Sequence, residues 1–114
     1  MSTKTIGDSA ESRAAAYLAR HGYDLVERNY RCKAGELDII ARDGGVLAFV
    51  EVRSRASARF GHAVTAISPA KQRQVARIAA HYLAFRRPTA ARYRFDVVAI
   101  TGAELLLIRD AWRP

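Results

Sequence analysis

Hydrophobic and polar positions switch between a helical and an extended period along this chain. From Asp8 to about His21, Ala10, Ala14, Tyr17 and Leu18 recur at the spacing of one helix face, and Gly22 follows as a C′ stop. Tyr23 to Arg31 alternates loosely and reads as a strand. Gly35 to Arg55 reads as two short strands around Asp43-Gly44-Gly45-Val46. Ser68-Pro69 is an N-cap followed by proline at N1. It opens a helix to about Phe85 with Val75, Ile78, Ala79, Tyr82 and Leu83 on its core stripe. Tyr93 to Ile100 is mostly apolar at its end, as an internal strand would be. Thr101-Gly102-Ala103 then turns into a strand over Glu104 to Arg109. Residues 1–7 form a frayed lead-in and Asp110 to Pro114 a flexible tail. Helix, three strands, helix, two strands predicts an α/β domain over residues 1–114, a mixed sheet with a helix on each side.

The glycine pair sets the register of the central hairpin. Both central residues of a type I′ turn need positive φ, which suits Gly44-Gly45. Asp43 then faces Val46, Ile40 faces Phe49, and Asp38 faces Glu51, with opposed Cβ atoms roughly 5 Å apart. Alternation adds Glu36 to the face of Asp38 and Arg53 to that of Glu51. Leu37, Ile39 and Ala41, with Ala48, Val50 and Val52, should make the opposite face uniformly apolar. Two opposed carboxylates need something positive between them. A divalent cation is one solution and Arg53 another. An ordinary cross-strand salt-bridge pattern on a solvated face is the alternative.

Charge extends the picture. With 19 Lys and Arg against 11 Asp and Glu, the formal net charge is +8. That points to a polyanionic partner, nucleic acid before an anionic membrane, with a merely soluble basic surface as the other reading. No stretch approaches the ~20 apolar residues of a membrane helix. The first ten residues lack the apolar core of a signal, so a cytoplasmic protein is expected. Cys32 is the only cysteine, which excludes an internal disulfide or a cysteine zinc site. His21, His62 and His81 lack ligand spacing.

Other candidates are each open to two readings. Glu11 falls on one face with Ala14, Ala15 and Leu18, as a site residue at the edge of a buried stripe would; Asp8 and Glu11 are also spaced as N-cap and N3. Arg28, Arg31 and Lys33 suit phosphate contact or a solvated edge. Arg55, Arg59 and Phe60 suit a nucleic-acid-contacting loop between Ser54 and Ser68, with Phe60 as a core plug otherwise. Lys71 and Gln72 flank the inward face of the second helix, within reach of the acids or of a phosphate. Arg73 and Arg77 read as a solvated face.

The element order, with GELDIIA (35–41), FVEVRSR (49–55), KQRQVARIAAHYL (71–83) and RFDVVAI (94–100), resembles the PD-(D/E)xK, or restriction-endonuclease-like, nuclease superfamily. It is most similar to the small YraN family, which is similar to archaeal Holliday-junction resolvases, and the likeness runs from Gly7 to about Ile108. The resemblance implies a metal-dependent endonuclease acting on DNA, branched or structured DNA in particular. It implies Asp38 and Glu51 as ligands of Mg²⁺ or Mn²⁺, with the Val52 carbonyl completing the set. It implies Glu11 as the helix-one acid and Lys71 as a basic position of the family. Resolvase analogy implies a homodimer. Arg53 stands where the superfamily usually has lysine. Arginine, with a pKa above about 12, cannot give up its proton. A non-catalytic nucleic-acid-binding module on the same scaffold is therefore the alternative, and a basic structural protein whose acids only form salt bridges is a third.

Overall fold

The computed structural model describes residues 3–55 and 67–114, with side chains from residue 9 onward except that of residue 55. The elements are α1 (Thr3–Arg20), β1 (Asp24–Cys32), β2 (Gly35–Asp43), β3 (Val46–Arg55), α2 (Pro69–Arg86), β4 (Arg92–Thr101) and β5 (Glu104–Trp112). The expected order of helices and strands is present. The five strands form one sheet in sequence order. Only the β3–β4 pair is parallel, and α2 supplies its crossover.

Side-chain alternation along β3 shows how the layers are built. Leu47 and Phe49 pack with Val75, Ile78, Ala79 and Tyr82 of α2. Ala48 and Val50 pack with Ala14 and Leu18 of α1. A helix thus covers each face, and the central strands lose solvent on both sides. The capping signals of α2 operate as read. The Ser68 hydroxyl accepts the Lys71 N–H at 3.1 Å, and Arg87 ends the helix in a left-handed conformation with φ 48°.

The hairpin register is the one expected, from Asp43↔Val46 through Ile40↔Phe49 to Ile39↔Val50. The turn differs. Of its two glycines only Gly44 has positive φ, at 60°, which is the requirement of a II′ turn. Three further expectations are corrected. The first helix begins at Thr3 and not at Asp8, so Glu11 lies inside the helix and the N-cap/N3 reading of Asp8 and Glu11 falls. β5 does not stop at Arg109. Asp110 adopts φ 56° in a bulge, its N–H donates to Asp96 Oδ1 at 2.9 Å, and the strand continues to a buried Trp112 stacked on Phe95.

The third correction concerns the apolar face. Leu37 packs on the α2 side, whereas Ile39 and Ala41 pack on the α1 side. Alternation therefore slips phase at Asp38. The neighbouring strand slips at the same place: Tyr30 packs toward α2, while Arg28 reaches Glu11 and Ser12 of α1. The pairing is unbroken there, with Arg28↔Ile39 and Tyr30↔Leu37 on either side. The two strands turn over together about Asn29 and Asp38, and Asn29 takes the left-handed φ of 56° that asparagine tolerates.

Candidate functional site

Four carboxylates converge where the β2–β3 ladder ends. Past Ile39↔Val50 the backbone groups find carboxylate partners. The Val52 N–H donates to Asp38 Oδ2 at 2.8 Å, and the Asp38 N–H donates to Glu51 Oε2 at 3.4 Å. Because Asp38 sits at the turnover, its carboxyl group meets acids from both faces of the sheet. Glu51 of β3 is tied to its backbone N–H, and Glu11 of α1 brings a carboxylate oxygen close to its own. One carboxylate oxygen each from Glu11, Glu36 and Asp38 lie within 4.8 Å of one another.

Crowding shows in the protonation of these groups. Burial, and then the charge of Glu51, push Asp38 up to about 7. Burial, and then the charge of Asp38, also raise Glu11. Glu51 is 2% exposed and has Lys71 Nζ of α2 at 3.2 Å from Oε1. On the outer side the Asn29 amide, turned so that its nitrogen faces the acids, donates to Glu11 Oε2 at 2.8 Å and to Glu36 Oε1 at 2.8 Å. Arg31 Nε donates to Glu36 Oε2 at 2.9 Å. Gly35 opens the GELD stretch with φ 135°, and a Cβ there would stand 2.5 Å from the Gln74 side chain, so α2 lies close against this corner.

These oxygens are hard donors, and Asp38 and Glu11, both raised by burial and by their neighbours' charge, are poorly served without a cation. Oxygen-only donors rich in carboxylate suit Mg²⁺ or Mn²⁺. The donor set therefore fits the ion that the sequence resemblance implied.

The chain also matches known sequences. Residues 10–100 match the model of an uncharacterised protein family, UPF0102. A UPF0102 protein of Geobacter metallireducens is 47% identical over 98 residues, covering 86% of this chain and 80% of the relative. One from Ralstonia pickettii is 45% identical over 114 residues, covering 96% and 91%. One from Nitrosospira multiformis is 49% identical over 104 residues, covering 91% and 87%. The chain belongs to the UPF0102 family. This is the YraN family of the sequence resemblance.

In this UPF0102 chain, Glu11 lies beside Asp38, and Glu51 adjoins Asp38 on the other side. Lys71 reaches the acids. Gln72 does not: its Nε2 donates to Ile67 O at 3.3 Å beside the start of α2. Arg53 is half-buried in β3, paired in register with Ala99, two residues beyond Glu51. Arg31 is engaged with Glu36, and Lys33 is exposed. Arg59 and Phe60 lie outside the described residues, as does the side chain of Arg55. Two participants were absent from the expected site. Alternation had marked Glu36 as a neighbour of Asp38, so its signal was in the pattern. Asn29 gave none, because its role depends on its backbone turning left-handed.

A second polar cluster gathers around Asp96 of β4, which is level with Val50 of β3. Asp96 is fully buried and accepts from Tyr23 Oη at 2.7 Å, from Arg94 Nε at 2.8 Å and from the Asp110 N–H. Arg94 also binds Asp43 at 2.8 Å. Each of these groups has a partner, so the cluster reads as a structural tie between the hairpin and β4–β5.

Proposed function

We propose that this protein is a metal-dependent endonuclease that hydrolyses phosphodiester bonds in DNA. The observation that carries the reading is Asp38 at the strand turnover, with a carboxylate oxygen within 4.8 Å of one from Glu11 and its N–H donating to Glu51 Oε2 at 3.4 Å. Glu51 and Asp38 would hold Mg²⁺ or Mn²⁺, with Glu11 and Glu36 beside them. The Val52 carbonyl completes the set, because in extended backbone it leaves the strand on the same side as the N–H that meets Asp38. When bound, the ion polarises the phosphate and lowers the pKa of its water.

The chain's own residues carry the remaining tasks. Asp38 and Glu51 fix the geometry, and Asn29 holds Glu11 and Glu36 in place. Lys71 and Arg53 neutralise charge that grows on the phosphoryl oxygens, Arg53 with the bidentate contact a guanidinium makes. Arg53 does not activate water, since it keeps its proton. Resemblance to resolvases suggests branched DNA as the substrate and a homodimer as the cutting unit.

Arg53 also favours a second reading, a DNA-binding module on a nuclease scaffold whose catalytic step is lost. One assay separates the two. Supercoiled plasmid and a four-way junction are incubated with protein and Mg²⁺, Mn²⁺ or EDTA. Nicking that needs the metal and disappears in Asp38→Ala and Glu51→Ala supports the endonuclease. Binding without nicking, even in Arg53→Lys, supports the module.

A further inference from the structure

The sequence pattern assigns Arg73 and Arg77 to a solvated helix face. The structure places them beside a groove of about 440 Å³ between α2 and the C-terminal end of β5, lined by Pro69, Arg73, Arg77, Trp112 and Arg113 among others. A second groove, which Arg92, Arg94 and Arg109 help to line, shares Trp112 and Arg113 with it.

The cations here differ in what holds them. Arg94 and Arg109 bind Asp43, and Arg113 binds Asp110. Arg73 and Arg77 have no hydrogen bond or ion pair among the described residues. Two arginines at i and i+4 with no anion between them repel each other, an arrangement that a bound anion relieves. Trp112 adds an independent observation. It is 8% exposed, and its indole N–H has no acceptor among the described residues. Buried donors almost always have a partner, and this one stands unpaired in a residue that lines the groove.

Position favours one occupant. Arg73 lies about half a turn round α2 from Lys71, which touches Glu51, so the helix carries cations both toward the carboxylates and toward the groove. Trp112 is level with Phe95 and Phe49, two strands from β3, and Glu51 is two residues beyond Phe49. At ~4.8 Å between strands and ~3.3 Å per residue, Trp112 and Glu51 lie about 12 Å apart. That is three to four nucleotides of one strand at ~3.4 Å each. We propose that this groove holds backbone phosphates of the DNA segment next to the one at the carboxylates, with Arg73 and Arg77 as the phosphate contacts. The inference rests on the endonuclease reading and adds where the polyanion lies.

The test measures binding of a labelled duplex in EDTA across a salt series, so that cleavage plays no part. In Arg73→Ala/Arg77→Ala the slope of log K against log salt should become shallower by about 1.8, at ~0.9 per phosphate, and affinity at low salt should fall more than tenfold. Arg73→Lys/Arg77→Lys should keep the wild-type slope, which shows that charge and not folding is responsible. An unchanged slope in the alanine variant overturns the proposal. So does retention of duplex binding with loss of binding to phosphatidylserine vesicles, which would assign the groove to a membrane. If wild type nicks plasmid and the alanine variant binds normally, this inference fails alone. If wild type never nicks and the alanine variant loses DNA, the endonuclease reading fails and the groove stands.

Discussion

Lys71 Nζ lies 3.2 Å from Glu51 Oε1, and Glu51 is almost wholly buried, so an amine from α2 neutralises the carboxylate at the end of β3. Removing one partner leaves the other charge in a poor solvent. Lys71 is about one-third exposed, which moderates the effect through water screening. Lys71→Ala should destabilise the metal-free protein by about 1–3 kcal/mol. Saturating Mn²⁺ should shrink that difference, because the ion supplies the missing positive charge. Denaturant melts of both proteins in EDTA and in Mn²⁺ check this.

Asp38 sets the pH dependence. Its folded pKa, about 7, lies above the ordinary value of 3.8, and Glu11 is shifted in the same direction. A raised carboxylate pKa gives stability that is complete below the unfolded pKa and lost as pH rises through the folded one. Metal-free protein should therefore lose stability between about pH 4 and pH 7, at up to ~1.4 kcal/mol per unit of pKa difference. Asp38→Asn should flatten that fall and be the more stable protein at pH 8 in EDTA. Metal affinity should move oppositely, rising over the same interval as Asp38 ionises. Unfolding curves at pH 5 and pH 8 measure the first effect and calorimetric titrations the second.

Asn29 separates backbone from side chain. Its φ of 56° and its amide both serve the site, the first by turning β1 and the second by donating to Glu11 and Glu36. Asn29→Gly keeps the backbone conformation and removes the donor. Groups that orient metal ligands typically contribute tenfold to a hundredfold to affinity. Mn²⁺ affinity should fall by about that factor in Asn29→Gly, with little change in unfolding midpoint. Loss of stability without loss of affinity would show a purely structural asparagine.

Arg53 tests how much charge placement alone achieves. Arg53→Ala should lower kcat for nicking by about 10²-fold, the scale of one lost transition-state donor. Arg53→Lys should retain activity or raise it, and a gain that grows with pH would mark an amine sharing in proton transfer. Single-turnover rates at saturating metal read both.

Much of this architecture was legible in the chain because the deciding signals are local. Gly44-Gly45 fixed the β2–β3 register, and Ser68-Pro69 fixed the start of α2. What escaped depended on contacts between distant residues. Period-two alternation predicts that Leu37 and Ile39 share a face, and the joint turnover at Asn29 and Asp38 reverses that. The strand beyond Arg109 was hidden because Asp110 looks like a strand end until Asp96 is seen accepting its N–H. Asp8 resembled a cap, but the chain before it is already helical. The acids were expected on one face. They reach each other because Glu11 comes from the α1 side, Glu51 from the α2 side, and Asp38 stands at the crossing.

The most direct measurement is a Mn²⁺ titration, by calorimetry and electron paramagnetic resonance, of wild type, Asp38→Ala and Asp96→Asn. The carboxylate centre predicts binding by wild type, its loss in Asp38→Ala, and its retention in Asp96→Asn, whose substitution lies in the structural tie with Tyr23 and Arg94 and touches none of the four acids. Wild-type protein that takes up no Mn²⁺ at millimolar concentration, or Asp38→Ala that binds it as wild type does, would contradict the account.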